Sequence, residues 1–278
     1  MIEVRDLVIR RRESKMNTRK NKFSLSTLIL ILTAIFLMLP LLVIIVFSFN
    51  ESRGSTFTHF SLKWYRMLFE DSEDLLNALY NSLFIAFTAG IASTAIATLA
   101  AIAVKWYSFR AKRYIQIITY LPMVLPDIIL GISIVLFFAG VHMPLGLFTI
   151  FVAHTTFCIP FVYLTVLSRL DEFDHSVVEA ARDLGATEFE TLYKVIIPMI
   201  RPGILSGFIM AITLSLEDFI ITFFVSGPGS TTLPIYMYSL IRFGISPVIN
   251  ALSFFMILSI TAIAVTLRYF LKDIASIK

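Results

Sequence analysis

The segment Glu179-Ala180-Ala181-Arg182-Asp183-Leu184-Gly185 opens a polar stretch that closes with Val195-Ile196-Ile197-Pro198. This stretch lies between two long apolar runs in the second half of the chain. Charged side chains are costly inside hydrocarbon, so a segment of this kind belongs in water even when its flanking runs lie in a membrane. The organisation of the chain therefore depends on what those flanking runs are.

The whole chain has the composition of an integral membrane protein. Of its 278 residues 58% are hydrophobic and 15% are charged, and the mean hydropathy is +0.85. Soluble domains are about half apolar and about a quarter charged. The single cysteine, Cys158, lies in an apolar run, so no disulfide framework or thiolate metal cluster is expected. The basic residues behind the net charge of +4 cluster beside apolar runs, which is typical of topology signals and not of nucleic-acid binding.

Six apolar runs are long enough for helices that cross a bilayer, which takes about 20 residues. The first run is too long for a secretory signal peptide and has no small-residue cleavage site, so we interpret it as an uncleaved span. The six predicted spans cover residues 23–49, 79–104, 115–138, 147–167, 203–226 and 249–267. The predicted fold class is therefore an all-α membrane protein with six transmembrane helices.

The lysines and arginines predict how the chain is oriented. Of the 23 basic residues, 19 lie in the N-terminal tail, in two loops on the same side and at the C-terminus, and only 4 lie in the opposite loops. The positive-inside rule therefore places both termini in the cytoplasm. We predict a basic tail over residues 1–22, a transmembrane domain over 23–272 with the polar loop at 168–201, and a C-terminal tail over 273–278. Met16 is a second candidate for the start of the protein.

Local signals add detail outside the polar loop. Pro122 and Pro126 in the third span predict a break in that helix near the middle of the bilayer. Gly227-Pro228-Gly229 predicts a turn after the fifth span, followed by a short surface or re-entrant helix over residues 233–243. The aromatic residues around Trp64 predict a short helix on the membrane surface, with a docking site for a partner protein as the alternative.

Three acidic residues fall inside the predicted spans. They are Asp127, Glu217 and Asp218, out of 19 in the chain. At 1.5 Å per residue they lie at similar depths, about 18 to 21 Å from the cytoplasmic ends of their helices. An ionisable group there costs at least about 2.5–3.5 kcal/mol, so it normally faces a cavity, pairs with another charge or marks a pathway. Because no lysine or arginine lies within a span, the predicted counter-charge is a cationic cargo.

The neighbours of these acids fit that prediction. Ser215, Asp218 and Thr222 share one face of a continuous helix, and Glu217 shares the adjacent face with Phe224. Carboxylates beside an aromatic ring suit an organic cation through charge pairing and cation–π contact.

The buried polar residues could also have purely structural roles. Asp127 could cap the helix that restarts after Pro126. Any of the three acids could instead be protonated and hydrogen-bonded to a neighbouring helix. We expect His154 to be a hydrogen-bonded packing residue, and the chain has no cluster of histidine and cysteine that would predict a metal site.

The polar loop itself predicts two short helices. Ser176 with Glu179, and Thr187 with Glu190, each fit the capping box, in which hydroxyl and carboxylate bond each other's backbone amides. Gly185 stands where a left-handed residue ends the first helix. The second helix is predicted to run to Pro198 with an apolar face, whose members are Phe189, Leu192, Tyr193 and Ile196. On spacing alone, a helical connector on the membrane surface explains the loop equally well.

The loop resembles a known motif. Glu179-Ala180-Ala181, followed by Gly185 and by Ile197-Pro198, is similar to the EAA loop of permease subunits of binding-protein-dependent ABC importers, with Val195 and Ile197 replacing Ile and Leu of the motif. The resemblance covers about residues 23–272 and points to the polyamine branch of that family. Five further segments carry it, at residues 125–129, 154–161, 168–170, 214–218 and 224–228.

The resemblance implies a type I ABC importer permease fold in the inner membrane. The first loop helix would be the coupling helix, with Glu179, Ala180, Ala181 and Gly185 docking on an ATPase. The implied partners are a second, homologous permease, two ATPase subunits and an external substrate-binding protein. The chain has no phosphate-binding G-x-x-x-x-G-K-[ST] stretch, so ATP and Mg²⁺ would belong to the ATPases, and this chain would not itself be an enzyme. The implied cargo is spermidine or putrescine, and the predicted substrate pathway comprises Asp127, Ser215, Glu217, Asp218, Thr222 and Phe224.

Three alternatives stand beside this prediction. The cargo could be another small organic cation or solute, because selectivity depends partly on a binding protein outside this chain. The chain could be a stand-alone proton-coupled carrier whose buried acids relay protons, although this leaves the capped loop without a role. A membrane enzyme is disfavoured because no paired nucleophile and base is evident in the sequence.

Overall fold

The computed structural model describes residues 25–52, 56–70, 73–172, 174, 176–242 and 247–276, with side chains as far as Ala262 except residue 260. Within these residues the structure is helical, apart from turns and one isolated antiparallel bridge between Asn50 and Phe60. The predicted tail at 1–22 lies outside them. The helices are α1 Leu25–Ser48, α2 Lys63–Glu70, α3 Glu73–Trp106, α4 Lys112–Val124, α5 Asp127–Gly140, α6 Leu147–Asp171, α7 Ser176–Asp183, α8 Glu188–Thr191, α9 Ile197–Glu217, α10 Ile220–Val225, α11 Leu233–Arg242 and α12 Pro247–Ser276.

The chain divides into two structural units. The first unit comprises Met1–Glu70 and Ile245–Lys278, and its described helices are α1, α2 and α12. The second comprises Asp71–Gly244 and holds α3 to α11. All residues discussed below as functional lie in the second unit.

Asn50 organises the first unit at the end of α1. Its side chain is buried, donates to the carbonyl of Thr56 at 2.9 Å and accepts from the backbone amide of Thr58 at 2.9 Å. Its own carbonyl accepts from the indole of Trp64 at 2.7 Å. This confirms the short helix predicted around Trp64: α2 buries Trp64 and Leu68 and exposes its opposite face.

Helix α6 forms the centre of the second unit. Val162, Tyr163, Val166 and Leu170 on this helix are fully buried. They belong to one apolar cluster with residues of α3 and α9. A second cluster joins α6 to α5 and α10 and includes Phe138. Because α6 is covered on several sides, it is the frame against which the broken helices around it are positioned.

Small residues let α9 approach α6 closely. Gly203, Gly207, Ala211 and Ser215 recur every four residues and are all buried. A Cβ atom added at Gly207 would lie 2.8 Å from the side chain of Val162, so only glycine fits there without a shift. This is the small-residue packing expected of helices in membranes.

Two of the predicted spans are broken within the second unit. The third consists of α4 and α5, which meet at Leu125 and Pro126 with a bend of 114°, so the break predicted from the prolines is confirmed. The fifth was expected to be one continuous helix over 203–226, and this was wrong. Helix α9 ends at Glu217, Asp218 is extended with ψ at 122°, and α10 restarts at Ile220.

The described helices include four that are long and apolar enough to cross a membrane, and five if α4 and α5 count as one span. The sixth predicted span coincides with α12, whose described apolar part, Pro247–Ser259, is shorter than a membrane crossing, so that span stays a prediction. The turn after the fifth span is confirmed: Gly229 has a φ of +76° and Ser230 donates its amide to the carbonyl of Gly227. The helix predicted after it is α11.

Candidate functional site

A cavity of about 360 Å³ lies between the two broken spans and α6. The break after α4 supplies one wall and the break after α9 supplies the opposite one. Two aromatic residues of α6, Phe157 and Phe161, complete the lining. The other lining residues are Pro122, Met123, Leu125, Asp127, Leu214, Glu217, Asp218, Phe219, Ile220 and Ile221. All three acids of the predicted spans therefore face one space, and none of its lining residues is basic.

The three acids lie at helix ends around the cavity, two at N-termini and one at a C-terminus. Asp127 is the first residue of α5, and Asp218 precedes the first turn of α10, so both lie at helix N-termini. The helix dipole stabilises negative charge there. Glu217 is instead the last residue of α9, where the dipole disfavours a carboxylate. Local helix structure therefore accounts for the placement of Asp127 and Asp218 and not for that of Glu217.

Asp218 uses its carboxylate to cap the restarted helix. One oxygen accepts from the backbone amide of Ile221 at 3.2 Å, and the other from the amide of Thr222 at 2.8 Å and its hydroxyl at 2.7 Å. The Asp218 side chain is only 9% exposed. Since backbone amides freed by a break must find acceptors inside a membrane, this carboxylate makes the break possible.

His154 ties the same break to α6. Its ring is buried, with Nδ1 2.7 Å from the hydroxyl of Ser215 and Nε2 2.8 Å from the hydroxyl of Thr222. Nε2 also lies 3.3 Å from the Asp218 carboxylate. All four groups are satisfied if Thr222 donates to Asp218, His154 donates from Nε2 to Thr222, and Ser215 donates to Nδ1. His154 is thus a hydrogen-bonded packing residue, as expected.

Glu217 and Asp127 have uncommitted carboxylates. Both side chains are exposed to the cavity side of their helices, and neither makes a hydrogen bond or ion pair with another described residue. The suggestion that Asp127 caps α5 was wrong: Pro126 occupies the cap position, and no side chain bonds the first amides. Of the three acids, these two are therefore free to bind a ligand in the cavity.

The remaining pathway residues lie elsewhere. Ser215 and Thr222 are buried in the His154 network and do not line the cavity. Phe224 was expected beside Glu217, but the break turns it away, and its ring packs against Gly131 of α5, where an added Cβ would lie 2.6 Å from the ring.

Phe219 takes the place that Phe224 was expected to have, and sequence reasoning missed it together with Phe157 and Phe161. Phe157 and Phe161 are four residues apart on one face of α6, and this spacing was the signal that could have found them.

The polar loop forms the predicted pair of helices, with one difference at its start. Gly185 ends the first helix, α7, in the left-handed conformation at φ +85°, which confirms that prediction. The second capping box is also confirmed: Thr187 accepts from the amide of Glu190 at 3.3 Å, and Glu190 accepts from the amide of Thr187 at 3.1 Å. Ser176 is already helical, so it does not occupy the predicted cap position, and its amide bonds Asp174 at 2.9 Å.

The second loop helix continues into the membrane. After the single turn of α8, Leu192–Ile196 form a π-helix in which the amide of Ile197 bonds the carbonyl of Leu192, five residues back. The predicted end at Pro198 was wrong, because the widened turn accommodates a proline that lacks an amide hydrogen, and the chain goes on as α9. The second loop helix and Glu217 thus belong to one continuous helical segment, which begins after the turn at Gly185.

The predicted docking positions lie on the accessible side of the loop. Glu179, Ala180 and Gly185 are exposed and Ala181 is half-buried, while Val178 on the opposite face of α7 is buried in the core. The π-turn rotates the residues after it relative to those before it. The residues of the predicted apolar face therefore do not all point to the same side. Ile196 packs into the core, whereas Phe189 and Tyr193 are 73% and 66% exposed and stack on each other.

The capping box perturbs one acid of the loop. The hydrogen bond from Lys194 is the main cause that lowers the pKa of Glu190 from its ordinary 4.5 to about 2, and bonds from the amide and hydroxyl of Thr187 add to it. The Lys194 ammonium lies 2.9 Å from the carboxylate.

Comparison with known proteins gives a consistent set of relatives. Residues 93–276 match the family described as "Binding-protein-dependent transport system inner membrane component". The chain is 40% identical over 225 residues to the spermidine/putrescine transport system permease protein PotC of Escherichia coli K12, covering 80% of this chain and 85% of that protein. It is 40% identical over 233 residues to the putrescine transport system permease protein PotI of the same strain, covering 81% and 83%.

A solved structure shares the fold. One chain of a bacterial ABC transporter that imports the acidic polysaccharide alginate superimposes with a TM-score of 0.71, covering 88% of this chain and 94% of that one. Its sequence identity is 15%, so the likeness concerns the fold alone.

Replacing Thr222 by Val should destabilise the protein. The substitution removes the hydroxyl that bridges His154 and Asp218 and leaves buried polar groups without a partner, which typically costs about 1–3 kcal/mol. We expect a lower Tm for the purified protein in detergent. Thr213→Val is the matched control, because the exposed Thr213 hydroxyl bonds only a carbonyl of its own helix. An equal Tm for the two variants would contradict the assigned network.

The capping box predicts a pH dependence of the loop. Because the pKa of Glu190 is lower in the folded loop than its ordinary value, the stabilisation is fully present above about pH 4.5 and is lost as the pH falls toward 2. We expect the amides at 187–191 to exchange hydrogen faster as the pH falls across that range. This increase should exceed the intrinsic effect of pH on amide exchange. In Glu190→Gln, whose amide oxygen can still accept from the Thr187 amide and which does not titrate, this extra change should be absent. Identical profiles for both proteins would show that the box is not formed.

Proposed function

Because the chain belongs to the family of inner-membrane components of binding-protein-dependent transport systems, we propose that it is the permease subunit of an ATP-driven importer of polyamines. The family model and the relatives cover most of the chain. The protein is a multi-pass membrane protein with the fold of an ABC importer permease. The cargo, the roles of individual residues and the subunit composition are the parts that we propose.

The cavity between the broken spans carries the proposal. It holds two carboxylates, Asp127 and Glu217, that have no partner among the described residues and no basic residue beside them. A carboxylate at membrane depth is retained where it has a function. Glu217 supports this most directly, because its position at the C-terminus of α9 is electrostatically unfavourable until a cation arrives.

The chemistry of the lining fits an organic polycation. Phe157, Phe161 and Phe219 offer ring faces for cation–π contact and apolar surface for a methylene chain. The two relatives described above carry spermidine or putrescine by their names, and both of those amines combine an aliphatic chain with spaced positive charges. Contacts spread over two carboxylates and three aromatic rings suit a transport pathway, because a single tight binding site would slow release of the cargo.

Asp218 has a different proposed role from the other two acids. Its carboxylate is already used by two backbone amides and by the Thr222 hydroxyl. We assign it to positioning: it holds the break open so that Glu217 and Phe219 face the cavity. Cargo contact then falls mainly on Asp127 and Glu217.

The family description implies an external binding protein, and we propose three further partners. A second, homologous permease would complete the pathway, and two ATPase subunits would bind ATP and Mg²⁺. The exposed face of α7 that carries Glu179 and Ala180, together with Gly185 just after the helix, is proposed to dock on one ATPase. Motion of α7 would reach the cavity through α8, the π-turn and α9, which end at Glu217.

Removing either free carboxylate should weaken uptake. In cells that produce the assembled transporter, we expect Glu217→Gln and Asp127→Asn each to reduce radiolabelled spermidine or putrescine uptake by about tenfold, the effect of losing one charge-assisted contact. Co-purification of the subunits should be unchanged. Glu70→Gln, an exposed acid of α2, is the control and should transport normally. Normal uptake by both cavity variants would refute the cargo assignment.

Changing Gly185 should uncouple the transporter. A β-branched residue is strained at φ +85°, so Gly185→Val should distort the end of α7. We expect the complex to assemble. We expect ATP-driven uptake to be lost, together with the increase in ATP hydrolysis that accompanies transport. Gly140→Val is the control, because nothing lies within 4 Å of an added Cβ at that position. Undiminished ATP-driven transport in Gly185→Val would count against the docking role of α7.

A further inference from the structure

A second cavity, of about 430 Å³, lies between α3 and α9. It is a cleft with a mainly apolar lining and is separate from the cavity that holds the acids. Ile91, Leu99, Leu205 and Phe208 contribute most of its apolar wall, and the remaining lining residues are Thr94, Ala95, Thr98 and Ile204. No residue of this cleft takes part in the transport function proposed above.

Two threonines of this cleft have buried hydroxyl groups without a hydrogen-bond partner among the described residues. They are Thr94 and Thr98, each of which is 7% exposed. Several other helical threonines of the second unit donate to the carbonyl four residues back, as in Thr88, Thr156 and Thr213, whereas Thr155 and Thr191 have unpaired hydroxyls as well. Unpaired buried hydroxyls cost free energy, so an acceptor from outside the second unit is expected at the cleft.

The depth of the cleft can be read from the packing of α3 on α9. A Cβ atom at Gly90 would lie 3.2 Å from the side chains of both Phe208 and Ile212. Because α3 and α9 run in opposite directions across the membrane, eight residues further along α3 brings Thr98 level with about residues 200–204 of α9. Thr98 therefore lies at the same depth as Arg201, toward the side that the basic residues assign to the cytoplasm.

Arg201 lies one turn before the residues of α9 that line this cleft. It precedes Ile204, Leu205 and Phe208 by three, four and seven residues, so it shares their face of α9. Its side chain is exposed and makes no ion pair with a described residue. Lys105, on the Thr98 face of α3, is by contrast already paired with Asp171. One positive charge without an ion pair among the described residues thus lies at the depth of Thr98, on the face of α9 that lines the cleft.

We propose that this cleft binds an anionic phospholipid of the cytoplasmic leaflet. The phosphate would pair with Arg201, the ester carbonyls would accept from Thr98 and Thr94, and an acyl chain would fill the apolar part toward Ile91 and Phe208. Along the bilayer normal, a phospholipid presents its phosphate first, then its ester carbonyls and then its acyl chains. The basic, hydroxyl and apolar groups of the cleft follow one another in the same order. A free phosphate ion would leave the apolar wall uncovered. The site is independent of the polyamine cavity.

Native mass spectrometry of the assembled transporter tests the site. The complex is exchanged into phosphatidylglycerol or phosphatidylcholine with the same acyl chains, and the retained lipid is measured. For Arg201→Gln we expect the preference for phosphatidylglycerol to fall about fivefold, the scale of one basic side chain at an anionic membrane surface. Arg113→Gln, another exposed basic residue on the same side, should keep the preference. An unchanged preference in Arg201→Gln would overturn the assignment of the phosphate.

A second pair of variants tests the hydroxyls and the channel. Thr94→Val with Thr98→Val should lower retention of both lipids, and Ala95→Phe should do so by filling the cleft. Thr213→Val is the control and should leave retention unchanged. If the hydroxyls lack an acceptor, the double Val variant will instead have a higher Tm and unchanged retention, which overturns the proposal. Cross-linking of Leu99→Cys to the second permease at high yield would overturn it too, by showing that a protein helix fills the cleft.

Discussion

Inside hydrocarbon, a backbone amide that leaves its helix must find another acceptor, because water is absent and an unpaired amide costs several kcal/mol. The break between α9 and α10 meets this constraint with one carboxylate. Asp218 accepts from the amides of Ile221 and Thr222, and His154 holds the carboxylate and the Thr222 hydroxyl from α6. The charge that looks costly in the sequence therefore stabilises the irregular backbone, and the irregular backbone in turn creates the cavity.

The break after α4 meets the same constraint differently. Proline occupies positions 122 and 126, so the number of amides that need a partner is reduced before the chain bends by 114°. Both breaks face α6, whose own helix passes through Pro160 without interruption. The two irregular segments thus share one rigid support. This explains why acids from distant parts of the sequence line the same space.

Much of this architecture could be predicted from the sequence, and the errors have physical causes. The prolines at 122 and 126 predict a break because the effect of a proline on a helix is local. The break at Asp218 has no such signal: an acid followed four residues later by Thr222 fits a polar stripe on a continuous helix as well as it fits a cap. Only the position of His154, 64 residues earlier in the chain, decides between a continuous helix and a cap. The contact between His154 and Asp218 is tertiary, so the local sequence does not reveal it. The same missed break explains why Phe224 was expected at the cavity, whereas Phe219 lines it.

The capped loop was easier to predict because its signals lie within a few residues of each other. Gly185 and the pair Thr187 and Glu190 behave as their local chemistry requires. The end of the second helix was missed because a proline usually stops a helix, and a π-turn is the exception that lets it continue. That exception has a mechanical consequence. Had the helix stopped at Pro198, a joint would separate α8 from the part of α9 that enters the membrane. With the π-turn in place, the helical segment from α8 to Glu217 is unbroken. A displacement of α8 must therefore either move the free carboxylate of Glu217 or strain the hydrogen bonds of Asp218 just beyond it.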